Sequence, residues 1–244
     1  MDVNLIPLLF FSFLSHLSVA FAGFGGILIP LTLGAHFYAV KWMLTVLLPL
    51  TMVSNLYILL RHFRHIETSV LFKKILPFME MGLGIGILIF HLIHGDLLVR
   101  ILGILVVVLS LRELILMFRS DREQPPDSRL KVFLYIFSAG IVHGMYASGG
   151  PLLVYIVNKL NLNKTQFRST LSSVWLIMNI FLTGSYVLTQ KITPDTIRIS
   201  VLLLPALVLG IVLGEYLHKR SDGRKFKMVV FMLLLLTGIS IILK

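Results

Sequence analysis

The chain has 244 residues, of which 57% are hydrophobic and only 14% charged, with a mean hydropathy of +0.93. That composition excludes an ordinary soluble domain, and the lack of cysteine excludes disulfides, thiol chemistry and cysteine-ligated metals. The net charge of +11 fits a positive-inside membrane topology in contact with anionic lipid. With no soluble basic domain to carry it, nucleic acid is not an expected partner.

Apolar runs long enough to enter a membrane fill nearly the whole chain, and they do not alternate with period two, so they read as helices rather than barrel strands. The N-terminus, MDVNLIPLLFF, lacks a basic n-region and reads as a retained first membrane segment rather than a cleaved signal. Segments are predicted at roughly 4–35, 38–60, 70–93, 97–117, 132–158, 166–189, 196–217 and 226–243. The first and fifth are the longest, and each is broken by a glycine pair, Gly25-Gly26 and Gly149-Gly150. Between the halves, RSDREQPPDSRLK reads as a cytoplasmic linker over 119–131, separating a first membrane repeat (1–118) from a second (132–244).

The halves align by hand. Gly25-Gly26 matches Gly149-Gly150 and Asn55 matches Asn179, both at an offset of 124; Pro77, Gly82 and Gly86 match Pro205, Gly210 and Gly214 at 128. If every segment crossed once, Lys and Arg would divide evenly between the two faces. If the glycine-broken segments instead dip in and return, one face holds 16 basic residues and the other 5, as the positive-inside rule demands. The expected fold is therefore all-α and polytopic: two inverted repeats, each a glycine-broken helical hairpin plus three transmembrane helices. Discontinuous helices at matching places in two halves point to a transporter's midplane site.

The residues that could form such a site follow. A helix start offers unpaired N–H groups and partial positive charge to an anion, glycine lets a ligand approach the backbone, and Pro151 suits the start of the second arm. Gly25, Gly26, Gly149 and Gly150 are read as the site, with Ser148 supplying a hydroxyl; Gly82, Gly84, Gly86, Gly210 and Gly214 are read as close-packing residues. Asn55 and Asn179 either bond between helices or bind ligand. Arg168 either gathers an anion at the cytoplasmic mouth or snorkels to headgroups as an anchor. Thr170, with Ser169 and Ser172, either faces a substrate path or bonds back to its own helix. Glu80, near the centre of a segment, and His143 are candidate proton carriers, each with a local-bonding alternative; His16 sits near the corresponding place in the first half. Glu215 and His218, near a cytoplasmic helix end, read as local charge pairing. No zinc-protease, phosphate-loop or nucleophile-elbow motif is present, so neither an enzyme nor a cofactor is expected.

Ser138 to Ile192, with SGGP, a short polar loop, FRSTL (Phe167 to Leu171) and then Asn179, resembles the second half of the TauE/SafE sulfite exporter family. AGFGGILIPL followed by SNLY is its first-half counterpart, although Ile27 follows Gly26 where the family usually continues its glycine run. The resemblance implies export of small sulfur-containing anions (sulfite, thiosulfate or organosulfonates) across the bacterial inner membrane. Alternating access and proton coupling are the expected mechanism. An importer of another small anion, or a membrane subunit that assembles a partner, remains the alternative, and a homo-oligomer is left open.

Overall fold

The structure, a computed structural model, describes residues 4–118, 128–160, 162–220 and 223–243. Most of the linker, 119–127, lies outside them. The described residues are helical, without strands. Four helices are long and apolar enough to cross a membrane, or five if a bent pair near the C-terminus is one span.

In the first half, α1 (Leu5–Ala22) leads through a tip to the short α2 (Leu28–Gly34), then α3 (Val40–His62). A turn leads to α4 (Thr68–Val70), a π-helical turn over Leu71–Ile75 and α5 (Leu76–Leu92), and α6 (Gly95–Phe118) ends the half. The second half repeats the order: α7 (Arg129–Tyr146), α8 (Gly150–Asn158), α9 (Lys164–Leu188), α10 (Pro194–Leu202), α11 (Leu204–Arg220) and α12 (Gly223–Ile242). α7 begins inside the predicted linker, because the Ser128 hydroxyl accepts from the Lys131 N–H and caps it. The predicted span 196–217 is bent by 44° between α10 and α11, with Pro205 just inside the new helix. Pro77 opens α5 in the same way.

Both glycine-broken segments fold back on themselves. The Tyr38 hydroxyl, after α2, donates to the Asn4 carbonyl before α1. The Lys131 ammonium, early in α7, donates to the Tyr155 hydroxyl late in α8 at 3.3 Å, and the Tyr135 and Tyr155 rings lie 4.9 Å apart. Each hairpin thus starts and ends on one side of the molecule.

Helix neighbours come in matched sets. α1 packs along α11 and α7 along α5; α2 meets α12 and α8 meets α6; α3 packs on α9 and α6 on α12. The last two pairs run antiparallel: Arg168 meets His62 while Thr183 meets Met52, and Gly103 meets Ile241 while Val106 meets Gly238. α1 and α11 run parallel, as do α7 and α5. A Cβ on Gly82 or Gly86 would fall on the Phe137 or Ile141 carbonyl oxygen, and one on Gly140 or Gly144 would run into the Met79 or Leu83 carbonyl. Gly210 and Gly214 meet α1 at the Phe13 and Leu17 carbonyls, each 2.7 Å from such a Cβ. These are the close approaches that small residues permit between membrane helices. Gly84 departs from expectation: nothing lies within 4 Å of a Cβ there. It is two residues from each packing glycine of α5 and so points the other way.

The outward faces carry large apolar side chains such as Met81, Leu88, Val212 and Leu236, whereas the interior holds Ser12, Ser15, Ser18, Thr51, Ser54, Asn55 and Asn179. A soluble protein would not expose so much apolar surface, but lipid covers it here.

Candidate functional site

Helix α1 ends at Gly23 and α7 at Ala147, both in the left-handed region (φ of 80° and 49°). These positions are 124 residues apart, so the break falls two residues before each glycine pair rather than at it. Gly25 also has positive φ, at 90°, a conformation that glycine reaches without strain. Ser15 and Ser18 of α1 donate to the Gly26 and Phe24 carbonyls and fasten the first tip to its own helix. At the second tip, α8 starts at Gly150 with Pro151 in its first turn.

A cavity of about 30 Å³ lies where the two tips meet. It has room for roughly two water molecules. Among its fifteen lining residues, twelve form pairs at the repeat offset of 124: Val19 with His143, Phe24 with Ser148, Gly26 with Gly150, Ile27 with Pro151, Thr51 with Trp175, and Asn55 with Asn179. Gly25, Leu28 and Ala147 complete it. The cavity therefore sits where the halves exchange.

Its walls are uncharged and mostly apolar, with a few polar groups among them. His143 stacks on Trp175, with centroids 5.4 Å apart and planes within 10°, and bonds through Nε2 to the Asn179 carbonyl oxygen at 3.0 Å. The Asn179 amide donates to Thr51 Oγ1 at 3.4 Å, and Thr51 donates to the Leu48 carbonyl at 2.9 Å. Trp175 donates to the Gly23 carbonyl at 2.8 Å, fastening the first tip to α9. Two lining residues each carry a fully buried side-chain atom without a partner, Asn55 Oδ1 and His143 Nδ1. A buried polar group without a partner is costly, and a ligand could satisfy both.

Of the residues singled out in the sequence, the cavity gathers Gly25, Gly26, Asn55, His143, Ser148, Gly150, Pro151 and Asn179. Gly149 faces away from it: a Cβ there would fall on the Ala139 carbonyl oxygen, so its smallness serves packing. Arg168 is 1% exposed and so is no headgroup anchor. It donates to Glu215 at 2.7 Å, to the Ala20 carbonyl and to His62 Nε2 at 2.8 Å. Glu215 therefore pairs across the fold rather than locally, and Arg168 faces the carbonyl end of α1, where a cation is favoured. His218 bonds to the next carbonyl, that of Phe21, at 2.7 Å. Thr170 accepts from the Glu67 N–H at 3.0 Å, and Ser169 bonds back to Thr165 at 2.8 Å, so both hold the 63–67 turn and the start of α9. Glu80 lies on the exposed face of α5, away from the cavity. His16 bonds to Ser54 at 3.3 Å, also outside it.

Thr51 and Trp175 escaped the sequence reading. Each lies one helical turn before a matched asparagine and at the same offset, a signal that was present in the spacing.

No curated protein sequence and no solved structure matches the chain. A family model described as sulfite exporter TauE/SafE matches residues 8–241, nearly all of it. With its lipid-facing helices and its cavity between two broken ones, the chain belongs to the TauE/SafE sulfite exporter family, a family of membrane transporters of sulfur anions.

Proposed function

We propose that the protein exports a small sulfur-containing oxyanion, such as sulfite, thiosulfate or an organosulfonate, across the bacterial inner membrane by alternating access. The observation that carries this reading is the uncharged cavity, with a few polar groups in mostly apolar walls, lined by repeat-paired residues at the junction of the two hairpin tips. The first turn of α8 offers free N–H groups and the positive end of its dipole. Ser148, the Asn55 and Asn179 amides and His143 surround the rest of a bound anion. Arg168 and Thr170 act one step away, by holding the cytoplasmic end of α9.

The matched neighbours and the antiparallel α3/α9 and α6/α12 pairs support an inverted repeat, because a two-fold axis in the membrane plane makes equivalent helices antiparallel. Eight simple crossings would have made those pairs parallel. The tips leave a space with several polar groups between them rather than packing it full, which favours transport over a purely scaffolding subunit. At about 30 Å³ the cavity is smaller than a pyramidal oxyanion, so binding one goes with parting of the tips. No nucleotide-binding element is present, so the proton gradient drives export, with His143 as the proton carrier at the cavity; Glu80, turned outward, is the weaker candidate.

The test is sulfur-anion flux in proteoliposomes, with and without a pH gradient, for wild type and Asn55→Leu. Gradient-driven sulfite, thiosulfate or sulfonate flux that the substitution abolishes is expected; no flux of any of them refutes the reading. Reporter fusions in the 61–74 and 219–227 loops should fall on one face, and opposite faces would refute the inverted topology.

A further inference from the structure

Two facts about the cavity stand apart from the tips. It contains no charged side chain to balance an anion, and the two fully buried side-chain atoms of its lining residues that lack a partner are both acceptors.

The second fact follows from the direction of one hydrogen-bond chain. A backbone carbonyl can only accept, so Thr51 must donate its proton to Leu48 O. Thr51 Oγ1 therefore accepts from Asn179, which turns the Asn179 amide nitrogen toward α3 and its carbonyl oxygen toward His143. That oxygen can only accept, so His143 Nε2 carries the hydrogen. A neutral imidazole holds one N–H, which leaves Nδ1 as a bare lone pair. Nδ1 is buried, has no partner and belongs to a residue that lines the cavity. Asn55 Oδ1 is a second unpartnered acceptor in the same wall.

A fully deprotonated oxyanion offers only lone pairs and would meet Nδ1 lone pair to lone pair. A singly protonated one fits both ends of the site: its O–H donates to His143 Nδ1 while its bare oxygens accept from the first turn of α8. We propose that the cavity takes its oxyanion in the hydrogen-bearing, monoanionic form, with the substrate's own proton bonded to His143 Nδ1. This rests on the oxyanion reading above.

The charge argument agrees. The cost of desolvating an ion rises with the square of its charge, and this cavity has no cation to offset a dianion. If the proton moves, the substrate O–H bond breaks and an Nδ1–H bond forms, giving a dianion beside an imidazolium. The pair keeps a net charge of −1 throughout. No other titratable group lines the cavity. From the neighbouring helices, His16 is turned to Ser54, α5 meets α7 here through Leu83 and Gly86, and Glu80 faces outward.

The experiment compares sulfite, which near neutral pH is shared between hydrogen sulfite and the dianion, with thiosulfate, which carries no proton there. In proteoliposomes, sulfite flux should follow the hydrogen sulfite fraction as pH is changed and should exceed thiosulfate flux at equal concentration by about tenfold, the worth of one charge-assisted hydrogen bond. Thr51→Val frees the Asn179 amide to rotate, so the sulfite-to-thiosulfate ratio should collapse toward one; Thr51→Ser should restore it. Nitrogen-15 NMR of histidine-labelled protein, with His143 assigned by its loss in His143→Gln, should show Nε2 protonated and Nδ1 bare. Flux that follows the dianion, equal flux of both anions in the wild type, or an Nδ1–H tautomer overturns this inference while leaving the oxyanion reading intact. Flux of neither anion overturns the oxyanion reading itself, and the inference with it.

Discussion

Replacing Arg168 by methionine should be among the most destabilising single changes in this protein. Its guanidinium is 1% exposed and serves three partners on three other helices: Glu215 of α11, the Ala20 carbonyl of α1 and His62 of α3. Removing one member of a buried ion pair strands the other, here a Glu215 side chain only 12% exposed, and typically costs about 3–5 kcal/mol. In a chain of this length each kcal/mol moves the melting temperature by roughly 2–4 °C, so Arg168→Met should melt roughly 6–20 °C below the wild type. Glu215→Met should be harmful for the same reason, and the double variant should recover much of the loss, with a coupling of roughly 2–3 kcal/mol. Thermal unfolding in detergent, run as a double-mutant cycle, measures this directly. Losses that simply add, or a single-variant loss under about 1 kcal/mol, would refute the account of Arg168 as a buried tie. If the double variant is folded yet carries no anion, the guanidinium acts on the substrate instead.

Two glycine pairs separate packing from site. Gly82→Ala places a Cβ on the Phe137 carbonyl oxygen and should cost about 1–3 kcal/mol. Gly84→Ala meets nothing and should be neutral or stabilising by about 0.5–1 kcal/mol, both read by thermal unfolding. Gly149→Ala should likewise cost about 1–3 kcal/mol through the Ala139 carbonyl. Gly150→Ala meets only Phe24 Cβ at 3.5 Å; it should fold normally and reduce flux by crowding the cavity. A stable Gly149→Ala with the flux defect, or a Gly150→Ala with full flux, would reverse the assignment.

The membrane character and the hairpins were legible because they rest on composition and local order: apolar runs, a charge asymmetry and two glycine pairs in register. Most of the cavity was legible for the same reason, since a constant offset places Gly26 and Asn55 opposite Gly150 and Asn179. Three features were not. The break at Ala147 has no local signature, because an alanine in the left-handed region is held there by its surroundings rather than by its own preference. Arg168 finds its carboxylate 47 residues away in a helix whose packing cannot be read from either segment alone. Glu80 looked central by position along the chain, but it shares the outward face of α5 with Gly84, one turn on. Gly82 and Gly86 mark the inward face of α5, and the helical period places residue 80 on another face.

The cavity is paired by the repeat, but its flank at Arg168 is not. The positions matching Arg168 and Glu215, at offsets of 124 and 128, are Leu44 and Ile87. One side therefore carries an ion pair bonded to the end of α1, whereas the matching positions on the other are apolar. The alternating access proposed above needs two states of similar energy, and under that proposal the tie should weight the state closed toward the side of Arg168. Arg168, Ser172, Trp175 and Asn179 are spaced by four, three and four residues and form one stripe of α9 running from the tie to the cavity. Ser172 lies between, fully buried, with a hydroxyl that has no partner. The chain has no cysteine, so Ser172→Cys gives a single thiol reporter without further engineering. In intact protein that thiol should resist a membrane-impermeant reagent applied from the Arg168 side. With Arg168 and Glu215 both replaced by methionine, it should label at least about tenfold faster, the effect of losing roughly 1.4 kcal/mol of bias. Equal labelling in the two backgrounds would mean that the tie holds the fold but closes no path.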